Sequence, residues 1–216
     1  MTDVTRSKVE AAVLARFKAR LEPAERRLLV GLDRPAAIQD FLNRVPYSDD
    51  KFYRCPLRVL RDRKAHCFDG ALFAAHALRR IGFPPLILEL IPNERDDDHI
   101  LALFKQNGGW GAVAQSNFVG LRYREPVYRS LRELVMSYFE QYYNLRGEKT
   151  LRRYSRPVNL ARFDHLGWMT SEEDVWDIPH HLVAIAHVPL LTPAMIAGLG
   201  RIDARLFAAG QLGMAK

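Results

Sequence analysis

The sequence has little of what several classes of protein require. Its 216 residues include only two cysteines, Cys55 and Cys67. Two are too few for a disulfide framework and fit a reducing compartment, so we expect a cytoplasmic protein. No apolar run approaches the roughly 20 residues that span a bilayer, and the segment from Met1 to Arg20 is charged throughout rather than basic and then apolar. The sequence therefore predicts neither a membrane span nor an export signal.

Motifs of metal and nucleotide sites are also missing. No glycine-rich loop precedes a helix in the way that a phosphate cradle requires. His180 and His181, with His165 and His187 nearby, fit neither His-Glu-x-x-His nor Cys-x-x-Cys spacing. The aspartates at 96–98 lack the alternating ligands of a calcium-binding loop. We therefore expect no metal and no cofactor.

Acidic residues are fewer than basic ones. The sequence has 32 lysines and arginines but 25 aspartates and glutamates, which gives a net charge of +7. Such a surface can attract nucleic acid or an acidic partner. However, aromatic residues are not interleaved with the arginines as a stacking platform needs, and no helix-turn-helix or zinc-finger spacing is present. The pattern favours a solvated basic surface, with nucleic-acid binding as a rival hypothesis.

Apolar residues at helical spacing predict several helices. The clearest runs from Cys67 to Ile81, with arginines in its last turn and Gly82 as its stop. Because it is apolar on most sides, we expect it to be buried. Other helices are predicted over Val9 to Leu21, from Pro23 to Leu29 or beyond, from the Asp33–Pro35 cap to before Pro46, over Pro126 to Tyr143, and over Pro193 to Ala209.

Apolar runs of strand length follow the Cys67 helix. They cover Leu86 to Ile91, His99 to Phe104 and Trp110 to Ala114, and the turn residues at 107–109 predict a hairpin between the last two. Further on, Leu151 to Leu160 is typical of a strand broken at a proline, and Leu182 to Val188 of a short strand or helix. No internal repeat or linker is visible, so we expect one domain.

Four motifs occur in a characteristic order: Cys67-Phe68-Asp69-Gly70-Ala71, then Leu78-Arg79-Arg80-Ile81-Gly82-Phe83-Pro84, then Asp98-His99, then Gly108-Gly109-Trp110. Together they resemble the core of the transglutaminase-like superfamily over roughly residues 47–118, about a third of the chain. The resemblance implies an α+β, papain-like fold in which the cysteine opens a buried helix packed on an antiparallel sheet. The histidine then lies on one strand, and an aspartate or asparagine on the strand after it.

We therefore predict a single transglutaminase-like domain over residues 1–216. Residues 1–46 form extra N-terminal helices, residues 47–118 the catalytic core, and residues 119–216 a C-terminal part that completes or covers the core.

Cys67 is the predicted nucleophile, because unpaired N–H groups and the helix macrodipole stabilise a thiolate at a helix N-terminus. His99 is the predicted general base or ion-pair partner, which takes the thiol proton and returns it to the leaving amine. The simpler alternatives are a buried structural cysteine and an ordinary strand-edge histidine. Cys55, beside Pro56, has no such context and is expected to be structural.

The third catalytic residue is the least determined. In an ungapped register, the family's aspartate falls on Ala114, which cannot orient an imidazole. A three-residue turn at 107–109 would place Asn117 opposite His99, whereas a two-residue turn would place Ser116 there. We select Asn117, since an amide oxygen can accept the imidazole N–H.

Three further residues, together with Ser116, are expected to line the substrate cleft. By resemblance, Tyr47 supplies a hydroxyl near the oxyanion. His66 can line the cleft or affect the charge on Cys67, although an exposed loop histidine is the simpler account. Trp110 is expected to form a wall of the cleft, although a tryptophan on a strand usually belongs to the core.

This constellation predicts a cysteine-dependent amide hydrolase or acyltransferase, peptidase-like or transglutaminase-like, that attacks a peptide or another amide through a thioester on Cys67. Ala114 supports an alternative: a catalytically inactive transglutaminase-like module that binds a partner, with its basic surface as one means of doing so.

Overall fold

Four helices precede the Cys67 helix in the computed structural model, which describes the backbone of residues 3–214 and the side chains of residues 8–214. Their bounds are α1 (Asp3–Ala19), α2 (Pro23–Val30), α3 (Pro35–Asn43) and α4 (Pro56–Asp62). The last three begin with proline, whose fixed φ suits the first turn and whose missing N–H needs no partner there. The three helices predicted before residue 46 are confirmed.

Helix α5 (Cys67–Arg80) lies at the centre of the molecule, and every residue from Phe68 to Arg79 is buried. The chain leaves the helix at Ile81, and Gly82 follows with a φ of 96°. Glycine adopts this left-handed conformation without a steric cost, which explains why the helix stops where the sequence predicted.

Seven strands form an antiparallel sheet. They are β1 (Leu86–Pro92), β2 (His99–Gln106), β3 (Gly109–Val113), β4 (Arg124–Tyr128), β5 (Leu151–Ser155), β6 (Val158–Asn159) and β7 (His187–Pro189). The order is β4-β3-β2-β1-β5-β7, and β6 also pairs with β1. The first three strands and the break at Pro157 are confirmed.

Two of the predicted helices are wrong. The segment Arg124–Tyr128 forms the edge strand β4, and an edge strand tolerates Pro126 because one of its sides needs no ladder hydrogen bonds. Ser130 then caps a short helix, α6 (Leu131–Met136). Near the C-terminus, the single helix predicted over Pro193 to Ala209 is instead two helices, α8 (Pro193–Ala197) and α9 (Ala204–Gly210), because α8 ends at Gly198. Helix α7 (Asp177–Ala184) precedes them.

The sheet has a hydrophobic cluster on each face, because side chains alternate along a strand. Ile100, Ala102 and Phe104 of β2 belong to the cluster that contains α5, whereas Leu101 and Leu103 belong to the cluster on the opposite face. A buried helix packed on one face of an antiparallel sheet confirms the predicted α+β class. Among the helices of residues 3–214, none has both the length and the apolar character needed to cross a membrane.

The β2–β3 hairpin turns on two residues, so the predicted three-residue turn is wrong. Asn107 and Gly108 have φ values of 50° and 83°, and Gln106 pairs with Gly109. This is the geometry of a type I′ turn, which Asn-Gly favours because both positions require positive φ. The pairing of β2 with β3 is therefore shifted by one residue from the register on which we selected Asn117.

Candidate active site

Cys67 occupies the first position of α5, and the residues beside it cap the helix. The Nδ1 atom of His66 accepts a hydrogen bond from the Phe68 N–H at 3.1 Å, and the Asp69 carboxylate accepts one from the His66 N–H at 3.4 Å. Burial lowers the pKa of His66 to about 4, so its ring is neutral at neutral pH. The structure therefore gives His66 a capping role, where the sequence suggested contact with substrate.

A buried ionic cluster holds this end of the helix. Arg54 is 4% exposed and pairs with Asp50 at 2.6 Å, Asp62 at 3.0 Å and Asp69 at 3.4 Å. The Asp69 carboxylate also accepts a hydrogen bond from the Arg54 backbone N–H at 2.7 Å. These bonds fix the start of α5 to the preceding loop, and with it the position of Cys67.

The Cys67 thiol lies against the first residues of β2. Its Sγ is 3.7 Å from the Asp98 carbonyl oxygen, and the Ile100 N–H donates a hydrogen bond to the same sulfur. The Tyr47 hydroxyl also bonds the thiol and accepts the Cys67 backbone N–H. A parallel bridge between Tyr47 and Ala65 holds that tyrosine in place. Tyr47 and Cys67 are thus neighbours.

Burial raises the pKa of Cys67 to about 11, an effect that outweighs the hydrogen bonds from Ile100 N–H, Phe68 N–H and the Tyr47 hydroxyl. The resting thiol is therefore protonated at neutral pH, and its proton points towards the Asp98 carbonyl. A thiol in this state needs a proton acceptor before it can act as a nucleophile.

His99 is the first residue of β2 and is 4% exposed. Its Nε2 lies 2.7 Å from the Leu121 carbonyl oxygen. Because a carbonyl oxygen only accepts, Nε2 carries the proton and Nδ1 carries the lone pair. Burial lowers the pKa of His99 to about 4, with the charge of Arg124 acting in the same direction. The imidazole is neutral at neutral pH and can accept a proton at Nδ1.

Ala114, Ser116 and Asn117 were considered for the third catalytic residue. Each is bonded to other groups or lies beyond the paired part of β3. Ala114 is fully buried, and both its N–H and its carbonyl bond the side-chain amide of Gln39. The corrected register, extended beyond Val113, brings Ser116 rather than Asn117 level with His99. The Ser116 hydroxyl accepts the Phe118 N–H at 3.0 Å.

A main-chain carbonyl, that of Leu121, is the hydrogen-bond partner of the His99 ring. The 3₁₀ turn Val119–Leu121 brings it to the imidazole. The sequence carries no signal for this partner, because every residue has a carbonyl.

Trp110 lies away from Cys67. It pairs with Lys105, six residues along β2 from His99, which corresponds to roughly 20 Å. The Lys105 ammonium lies 5.3 Å from its ring centroid. The expectation that Trp110 walls the cleft is therefore wrong, because it sits at the turn end of the hairpin.

The C-terminal part contributes residues that the sequence did not reveal. The Tyr142 hydroxyl donates to the Asp97 carbonyl at 2.7 Å and holds the loop before His99. Trp176 contacts Tyr53, whose ring lies beside His66. Within the part of the chain that the structure describes, no group of three or more His, Cys, Asp or Glu side chains is arranged to hold a metal ion.

Known proteins are only distantly similar to this chain. No protein-family model and no curated protein matches it. Among solved structures, EGTA-treated LapG of Legionella pneumophila has a TM-score of 0.36 and 14% identity, covering 50% of this chain and 69% of LapG. Calcium-bound LapG has a TM-score of 0.35 and 14% identity, covering 49% and 70%. At this level of similarity, neither structure is evidence for the function of this chain.

Proposed function

We propose that the protein is a cysteine-dependent amide hydrolase or acyltransferase that acts through a thioester on Cys67. The observation that carries this proposal is the position of the thiol, at the first residue of a buried helix and against the main chain on both sides of His99. A helix N-terminus favours the negative charge that develops on sulfur and on the substrate oxygen.

The protonation states support a general-base reaction. Cys67 Sγ attacks the carbonyl carbon of the amide while its proton passes to Nδ1 of His99. The imidazolium then gives this proton to the leaving amine as the C–N bond breaks. Water or a second amine attacks the thioester, His99 accepts and returns its proton, and the free thiol is restored. The Leu121 carbonyl keeps the ring in the tautomer that this cycle needs.

Two donors beside the sulfur suit the oxyanion of the tetrahedral intermediate. They are the Cys67 backbone N–H and the Tyr47 hydroxyl, which bond each other in the resting structure. When a carbonyl oxygen takes the place of the tyrosine oxygen beside this N–H, the fixed N–H and the reoriented hydroxyl can both donate to it. One such donor typically contributes about 10²- to 10³-fold to the rate of acyl transfer.

A binding module without catalytic activity is the second candidate, and one observation favours it. Burial holds the pKa of Cys67 far above neutrality, so the thiol has no intrinsic activation. In that case the cleft would bind a peptide without reacting with it.

Acetylation by 4-nitrophenyl acetate tests the proposal and separates the two candidates. We expect a burst of 4-nitrophenol and one acetyl group on Cys67, located by peptide mass spectrometry. The burst is lost in Cys67→Ala and slows by about 10²- to 10⁴-fold in His99→Ala. Cys55→Ser is the matched control, because a serine hydroxyl can replace the thiol that caps α4. Acetylation of Cys67 that proceeds at the same rate in His99→Ala would refute the general-base reaction and favour the binding module.

A further inference from the structure

A half-buried tyrosine and an exposed tryptophan lie beside the start of α5. The Tyr53 ring lies 5.4 Å from that of His66, the residue before Cys67, and 4.7 Å edge-to-face from that of Trp176. Trp176 is 46% exposed and stacks on His180 at 5.8 Å. We call Tyr53 and Trp176 the aromatic wall.

The aromatic wall is held in a defined position. One carboxylate, that of Asp174, accepts the Tyr53 backbone N–H at 3.0 Å and the Trp176 indole N–H at 3.1 Å. Tyr53 also contacts Phe68 of α5, with ring centroids 5.0 Å apart. A tryptophan anchored through its N–H while much of its ring faces solvent is typical of a binding surface rather than of a core.

The wall is close to the reactive sulfur. The pKa of Tyr53 is raised by burial and then by the charges of Cys67, Asp174, Asp69 and Asp98. The Asp98 carbonyl lies 3.7 Å from the Cys67 sulfur. Tyr53 therefore contacts the residues on both sides of Cys67, His66 and Phe68.

Exposed acidic residues lie near the thiol, although the chain as a whole carries a charge of +7. Asp97 and Asp98 are both exposed. The pKa of Tyr47 is raised by burial and by nearby negative charges that include Asp97. Burial raises the pKa of Asp98, whereas a hydrogen bond with the Glu89 carboxyl group and the charges of His187 and Arg153 act in the opposite direction. A negatively charged region beside a reactive group attracts cationic ligands, even on a protein whose overall charge is positive.

We propose that the aromatic wall, with Asp97 and Asp98, binds a cationic side chain, lysine or arginine, of the peptide whose amide Cys67 attacks. The inference rests on the proposed function and names its substrate class. An ammonium or guanidinium group is attracted both to the face of an aromatic ring and to carboxylates, whereas an apolar side chain of equal length gains from the rings alone.

Binding is tested without the reaction, in Cys67→Ala. Acetyl-Ala-Lys-Ala-amide and its norleucine counterpart are titrated while the Trp176 indole N–H is followed by NMR, with Trp176→Phe to assign the signal. We expect the lysine peptide to bind at least about 3-fold tighter than the norleucine peptide. The preference should fall in Trp176→Ala and Asp98→Asn, and it should weaken with added salt. Equal affinity for both peptides would overturn the inference.

The reaction gives a second measurement, with N-acetyl-lysine and N-acetyl-norleucine thiobenzyl esters as acyl donors. The ratio of their kcat/KM values should favour lysine about 3- to 10-fold and fall towards one in Trp176→Ala. Val127→Ala and Glu125→Gln, both on the edge strand β4, are the matched controls and should keep the wild-type ratio. An unchanged ratio in Trp176→Ala would overturn the proposal that the aromatic wall binds the cationic side chain. Failure of both esters to acylate Cys67 would refute the proposed function instead, and the peptide titration would still decide the subsite.

Discussion

At the scale of single residues, burial has opposite effects on the two groups of the proposed reaction. It raises the pKa of the Cys67 thiol to about 11 and lowers that of the His99 imidazole to about 4, because a charge on either group loses its hydration. Both groups are neutral between these values. The resting site therefore differs from a thiolate–imidazolium pair, in which the imidazolium must be present before substrate binds.

The pH dependence of acylation distinguishes the two arrangements. With a neutral pair, kcat/KM should be level from about pH 5 to pH 9 and should fall about tenfold per unit below pH 4, as His99 becomes protonated and can no longer accept the thiol proton. The measurement uses a thiobenzyl ester, with Cys67→Ala as the blank for spontaneous hydrolysis. A decline between pH 7 and pH 9 would indicate that imidazolium is required and would contradict the neutral pair.

At the scale of elements, the close approach of α5 to the segment after β3 positions the thiol. A Cβ atom on Gly70 would lie 2.3 Å from the Cβ of Gln115, so only glycine allows this contact. Gln115 is itself tied to the preceding loop, because its Nε2 donates to the Val45 carbonyl at 2.7 Å. The motif Cys67–Ala71 thus contains a glycine for a reason of packing.

Gly70→Ala should lower the free energy of unfolding by about 1–3 kcal/mol, because overpacking at Gln115 exceeds the gain in helix propensity of up to about 1 kcal/mol. Gly198→Ala is the control, since Gly198 has a φ of −89° and its nearest non-neighbouring atoms lie 3.7 Å from an added Cβ. Its effect should stay within about 0.5 kcal/mol. Urea unfolding measures both, and a Gly70 variant as stable as wild type would show that Gln115 can move aside.

At the scale of the whole molecule, buried polar residues of α5 join distant parts of the chain. Arg79 bonds Glu10 of α1 and Asp164, the latter at 2.7 Å. His76 is fully buried, with its ring 3.9 Å from that of Phe17 and its Nδ1 3.1 Å from the Met169 sulfur. Burial lowers the pKa of His76 to about 3, and the charges of Arg80 and Arg79 act in the same direction.

Stability should therefore decrease in acid through His76. The unfolded chain binds a proton at this histidine below about pH 6.5, whereas the folded chain does so only near pH 3, so stability that is present above pH 6.5 is lost as the pH falls. Between pH 6.5 and pH 4, wild type should lose roughly 3 kcal/mol more than His76→Leu. Urea unfolding at several pH values measures this, with a leucine variant of the exposed His165 as the control for removing a histidine. Equal losses of stability in wild type and His76→Leu would show that His76 is not the cause of the loss in acid.

The sequence determined the elements around Cys67 and His99 and their order along the chain. Helical periodicity with Gly82 as a stop defined α5, and apolar runs around Asn107-Gly108 defined the β2–β3 hairpin, because caps, turns and alternation depend on residues close in sequence. The order of Cys67 and His99 followed from the same patterns.

Only the tertiary structure decided which groups meet at the site. The partner of His99 is the carbonyl of a residue 22 positions away, and a carbonyl leaves no mark in a sequence. Trp176 reaches Tyr53 from the other end of the chain, whereas Trp110, the last residue of the fourth motif, lies far from Cys67. Contacts between distant segments depend on how the helices and the sheet pack, and local periodicity does not encode that packing.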